Sequence, residues 1–149
     1  AEICGLWNAG AYGGMGIPFV LGLAAVSLVN QIGLSSLVCL IAHYTVRHAV
    51  KSGFVRMTQL GDQGTFAYPI PSIKAIAMSN PDAVSLRSLP DDSRKEVLSL
   101  RMRPGQERII TNGDRTLRLA YDLRIPDSGC NTGLYDSINA DHALWRAAS

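Results

Sequence analysis

The sequence predicts an α+β fold, an apolar helix packed on or wrapped by an antiparallel β-sheet. Three observations carry that expectation. Positions 3 to 46, the 44 residues between Glu2 and Arg47, carry no charged side chain, in a chain of 149 residues that is 47% hydrophobic and 17% charged. Glycine and proline divide this run into a helix-length piece and a strand-length piece. Residues 115–125 then alternate apolar and polar side chains with the period of a half-buried strand. The length suits a single domain over 1–149, comprising an uncharged helix and central strand (1–46), an antiparallel meander (47–126) and a tail or short helix (127–149).

Within the run, Gly13 and Gly14 precede Pro18, which suits the first turn of a helix, and Gly33 suits the left-handed position just past a helix end. A helix over 18–32 follows. Residues 17–42 are also apolar enough to pass a simple hydropathy test for a membrane helix, and Arg47, His48, Lys51 and Arg56 would make a cytoplasmic flank. Against a span stand Asn30 and Gln31 at mid-run, where each amide would need a partner in hydrocarbon. Fifteen residues at 1.5 Å each also reach only about 22 Å of a roughly 30 Å core. The favoured expectation is a buried helix; the alternative is an N-terminal membrane helix with a small antiparallel β-domain.

Past Ser36, the stretch LVCLIAHYTVRHAV places Leu37, Cys39, Ile41, His43 and Thr45 on one face of an extended strand. Val38, Leu40, Ala42, Tyr44 and Val46 fall on the other, so a strand covered on both sides is expected. Short β-prone runs at 54–60, 65–70 and 72–78 continue a meander. Residues 97–125 are expected to form three antiparallel strands, turning at Pro104-Gly105 and at Asn112-Gly113-Asp114. Pro90, Asp91, Asp92 and Ser93 could cap one helical turn before Val97. Leu134, Ile138 and Trp145 have the spacing of a short amphipathic helix.

Charge is uneven. The formal net charge is +2, yet residues 47–126 hold 13 Lys or Arg against 8 Asp or Glu. That excess is mild and scattered, which argues against a nucleic-acid partner. Cys4, Cys39 and Cys130 show neither pairing nor zinc spacing and read as free thiols in a reducing compartment. The first residues lack a basic segment leading into an apolar one, so no secretory signal is expected in this numbering, and the expected location is cytoplasmic.

The segment GAYGGMGIPFVLGLAAV, residues 10–26, resembles the G-x-x-HGG helix start of thioesterase-like hotdog-fold proteins. IAHYTVRHAVKSG, residues 41–53, resembles the strand and turn that follow it in that family. The resemblance implies a sheet wrapped round a central helix, self-association, and binding of an acyl thioester whose carbonyl is polarised by backbone amides at the helix start. It places Gly13 and Gly14 at the Gly-Gly positions and Tyr12 where the motif has His, so Tyr12, Gly13 and Gly14 are the candidate ligand-binding residues. The acidic residue usual within that helix is missing, its position falling near Leu21, so hydrolysis lacks its base. No cofactor and no metal are expected.

Other constellations point first to packing. Cys39 and His43 share a strand face in this reading, and His43 and His48 point to opposite faces. Asp141 and His142 are adjacent, and Cys130 and His142 lack the spacing and the Met of a copper loop. Arg101, Arg103, Arg118 and Arg124 would gather on a solvated sheet face, with an acidic partner surface or lipid headgroups as the alternative. Trp7 and Tyr12 read as core or interface anchors. Two functions therefore stand: an acyl-thioester-binding homo-oligomer, with or without hydrolysis, or a non-enzymatic structural subunit. The subunit would belong to a membrane or viral assembly and pack through its uncharged N-terminal third, which makes membrane or neighbouring subunits its partners and a membrane-associated or virion location its place.

Overall fold

A computed structural model describes residues 2–3, 10–68 and 70–126. The fold is α+β. Strands β1 (Glu2–Ile3), β2 (Leu37–Ala42), β3 (Val55–Arg56), β4 (Thr65–Ala67) and β5 (Lys74–Asn80) form one sheet in the order β1-β2-β5-β3, with β4 also on β5. All its pairings are antiparallel except β1 with β2. Helices α1 (Ile17–Leu28), α2 (Val46–Lys51) and α3 (Asp91–Met102) and a separate hairpin, β6 (Gly105–Asn112) with β7 (Arg115–Asp122), complete the order.

The uncharged run is buried in protein at its helical end. α1 carries Pro18 in its first turn, and the turns past its end lead to Gly33, which takes a left-handed φ of 66°. α1 itself ends at Leu28, and the Leu34 N–H donates to the Val29 carbonyl at 2.9 Å, a six-to-one bond that closes the turns between the helix and the glycine. Leu23, Val26 and Val29 from this stretch meet Leu37, Phe54, Ile76 and Met78 of the sheet side and Val97 and Leu100 of α3 in a single core. Each such side chain contributes about 1.5–3 kcal/mol by leaving water. Gln31, one of the two amides that argued against a lipid setting, donates Nε2–H to the Leu123 carbonyl at 2.8 Å and accepts from the Ile125 N–H at 3.0 Å. Among the described residues no helix is long and apolar enough to cross a membrane, so the N-terminal membrane helix is set aside.

The long strand expected after Ser36 stops at Ala42. Its partner β5 gives out there, the last pair being Ala42 with Ala75. The Thr45 hydroxyl bonds the Ala42 carbonyl at 2.7 Å as the chain turns through His43–Thr45 into α2. Gly53 follows α2 as Gly33 follows α1, with φ 84° and the Phe54 N–H on the Ala49 carbonyl at 3.0 Å. His43 and His48 therefore lie in helical turns, not on strand faces. The meander contracts too: β3 and β4 are two- and three-residue strands that share the edge of β5, separated by turns at Gly61, Gln63 and Gly64 of positive φ.

Residues 97–102 are helical, which corrects the three-strand expectation. VLSLRM satisfies both a period of 2 and one of 3.6. The two aspartates in the first turn of α3, together with Ser93, Val97 and Leu100 buried on one face, favour the helix. The remaining two strands pair as expected, from Gly105 with Asp122 to Asn112 with Arg115, round a two-residue turn led by Gly113 at φ 59°. Arg101 and Arg103 accordingly leave the supposed arginine face. Arg101 donates to the carbonyls of Val84, Ala83 and Val26, tying α3 to α1, while Arg118 pairs with Glu107 at 2.6 Å and Arg124 with Asp122 at 3.0 Å.

The central strand is covered on one face only. Leu37, Cys39 and Ile41 turn to the core with Asn80, Met78 and Ile76 opposite them. The other face presents Val38, Leu40 and Ala42 from β2, Ala75, Ala77 and Ser79 from β5, Val55 from β3 and Phe66 from β4. On this face Ala75 and Ala77 are buried, at 3% and 8% exposure, while the larger side chains beside them are open. Val38 is 38% exposed, Leu40 36%, Val55 51% and Phe66 37%.

Candidate functional site

The loop before α1 is shaped by glycine. A single 3-10 turn spans Gly10–Tyr12, and Gly14 and Gly16 take left-handed φ values of 79° and 74°. The Gly13 N–H donates back to the Gly10 carbonyl at 2.9 Å and that of Met15 to the Tyr12 carbonyl at 3.2 Å. The loop's outward carbonyls meet the hairpin tip. Arg115 donates Nη1–H to the Gly13 carbonyl at 3.0 Å and Nη2–H to that of Ala11, and the Asn112 Nδ2–H reaches the Gly14 carbonyl at 3.0 Å.

A cleft of about 210 Å³ lies where the loop and the tip meet, lined by Ala11, Tyr12, Met15, Arg115, Thr116 and Leu117. Of the three candidate residues, Tyr12 lines it, while Gly13 and Gly14 set the loop and hold the tip through their carbonyls. Arg115, Thr116 and Leu117 were not legible as site residues, because they arrive from about a hundred positions away. The turn that delivers them, Asn112-Gly113, was the available signal. The lining offers a guanidinium, two hydroxyls and apolar Met15 and Leu117, and it includes no carboxylate or imidazole that could serve as a base.

The remaining candidates do not join it. Among the described residues no three His, Cys, Asp or Glu side chains are grouped to hold a metal. Burial, helped by the charge of Glu2, raises the Cys39 thiol to about 11. In a C4S/C130S background, labelling of Cys39 by iodoacetamide at pH 8 should then run about a hundredfold slower than a thiol of ordinary acidity, and climb with each pH unit up to about 11. A rate that levels off near pH 9 would contradict the burial. Burial, with Arg47 and Lys51 nearby, lowers the His48 imidazole below its ordinary range. Trp7, Cys4, Cys130, Asp141, His142 and the expected C-terminal helix lie outside the described residues.

What the fold defines is a layered α+β module, its helices and hairpin gathered on one side of a mainly antiparallel sheet and its other sheet face bare. No protein-family model, curated protein or solved structure matches the chain.

Proposed function

We propose that the protein is a non-enzymatic structural subunit that associates with copies of itself through the bare sheet face. The single observation that carries this reading is the composition of that face. It is formed by Val38, Leu40, Ala42, Val55, Phe66, Ala75, Ala77 and Ser79, with Glu2 at its β1 margin and no lysine or arginine. An isologous contact sets a surface against itself, so a face of one charge sign would repel its own copy; this one has little to repel. Ala75 and Ala77 of β5 are buried beneath the larger side chains on either side, so the contact would be made by Val38 and Leu40 on one side and Val55 and Phe66 on the other, at the usual sheet spacing of about 10 Å. Three rows, β2, β5 and the short β3 and β4 that share one edge of β5, about 4.8 Å apart and some six residues long, give a flat area of about 300 Å². That is below the roughly 800 Å² per partner of a standard stable interface, so the association is weak and concentration-dependent.

The uncharged third of the chain thus has two uses, α1 for its own core and the outer side of β2 for a neighbour. Sedimentation velocity from micromolar to millimolar protein tests the reading: the weight-average mass should rise with concentration for the parent chain. A second reading keeps the acyl thioester that the hotdog resemblance implies, with its acyl group in the cleft beside Tyr12. The cleft's position against the glycine loop favours it, and an acyl-CoA analogue that raises the melting temperature is its test.

A further inference from the structure

We infer that the cleft between the glycine loop and the hairpin tip binds a small carboxylate bearing a short alkyl chain. The Arg115 guanidinium has five N–H donors in a rigid fork, and the bonds to the Gly13 and Ala11 carbonyls use two of them. Those bonds hold the group in place without neutralising it, since a backbone carbonyl carries only a partial charge. None of the four ion pairs among the described residues involves Arg115, and the neighbouring Asp114 takes part in none either. The cleft is therefore lined by a positioned cation with donors to spare and, among the described residues, no counter-ion, the group best suited to planar, bidentate recognition of a carboxylate. The Thr116 and Tyr12 hydroxyls, also in the lining, can add a hydrogen bond each.

The rest of the lining selects among anions. Met15 is 4% exposed and Leu117 half-buried, so part of the cleft is apolar and rewards an alkyl chain over inorganic phosphate. The cleft, about 210 Å³ and open to solvent, has room for a ligand of butyrate's size, six non-hydrogen atoms. The inference is independent of self-association through the sheet face, which lies on other residues. It differs from the acyl-thioester reading in requiring a negative charge on the ligand.

The test is a titration of the full-length ¹⁵N-labelled chain followed by amide chemical shifts at constant ionic strength. Sodium butyrate should produce saturable shifts at Tyr12, Met15 and Arg115 to Leu117. Acetate should bind more weakly for want of alkyl contact, and butyramide and S-butyryl-N-acetylcysteamine at least tenfold more weakly for want of charge. Arg115→Gln should weaken butyrate at least tenfold. Because that change also removes a tie to the loop, Leu117→Ser serves as a second variant: it should erase the advantage of butyrate over acetate and leave acetate binding in place. The inference is overturned if butyrate gives no saturable shifts, if the shifts lie elsewhere, if butyramide or the thioester matches butyrate, or if phosphate binds more tightly than butyrate.

Discussion

Replacing Gly53 by alanine should destabilise the domain by about 3 kcal/mol or more, one of the largest effects expected of any single methyl group in this chain. Two penalties add. The residue ends α2 at φ 84°, a conformation that costs an L side chain about 1–2 kcal/mol. A Cβ there would stand 2.4 Å from Leu89 Cδ1 and 3.0 Å from both Asn80 Nδ2 and Ser88 Oγ. Leu89 and Asn80 are themselves buried, so they cannot swing away freely, and overpacking of this kind costs about 1–3 kcal/mol more. Asn80 carries the consequence further. Its Nδ2–H donates to the Ser52 carbonyl at 3.2 Å and its Oδ1 accepts from the Asp82 N–H, so the methyl presses on the bonds that join the end of α2 to the end of β5. Urea unfolding followed by circular dichroism checks the expectation, and a loss under 1 kcal/mol would refute it. The same change at Gly33 should cost only the conformational part, since a Cβ there meets nothing within 4 Å.

Val26→Asp should unfold the whole domain. Val26 is fully buried on α1 amid the apolar Leu23, Val29, Val97 and Leu100, and the nearby Arg101 guanidinium already donates to the carbonyls of Val84, Ala83 and Val26, so a carboxylate there loses its hydration at a large cost. The group would either stay ionised at a cost of several kcal/mol or take up a proton and still bury an unsatisfied polar pair. Against the 5–15 kcal/mol that holds a typical domain together, either is a large fraction. The informative comparison is Leu40→Glu, an equally drastic exchange on the strand next to α1 but on the bare face, which should leave the melting curve nearly unchanged. The first exchange loses near- and far-ultraviolet circular dichroism together. A folded Val26→Asp protein would mean that α1 is not part of the core.

These contrasts show which parts of the fold could be read from residues alone. Pro18 marked the start of α1 because capping is local, a position asking only for a conformation that its own residue supplies, whereas α1 itself ends at Leu28 and Gly33 closes the turns that follow it. The alternation of Leu117, Leu119, Tyr121 and Leu123 placed β7 for the same reason. Local pattern failed where two periods fit one stretch. In VLSLRM the choice rested on which side chains the core would accept, and only packing against α1 decided for the helix. After Ala42 the β-branched and aromatic residues point to a strand, whereas Ser52-Gly53 is a stop signal of the same type as Gly33. Coverage of β2 was overestimated because an apolar outer row looks alike whether it is buried by its own chain or left for another. In the cleft Tyr12 was legible through its glycine neighbours, whereas Arg115 was not. Its place depends on how the hairpin docks, a contact across more than a hundred positions that no local signal encodes.

The central claim is that the outer side of the sheet, and not a catalytic constellation, is where this protein meets its partner. Sedimentation equilibrium of the parent chain beside a Leu40→Glu/Phe66→Glu variant, each over the same range up to about millimolar, tests it most directly. The parent should show a mass that climbs reversibly with concentration, and the variant, its circular dichroism unchanged, should remain monomeric throughout. A parent chain that stays monomeric across that range, or a folded variant that associates as strongly as the parent, would contradict the claim.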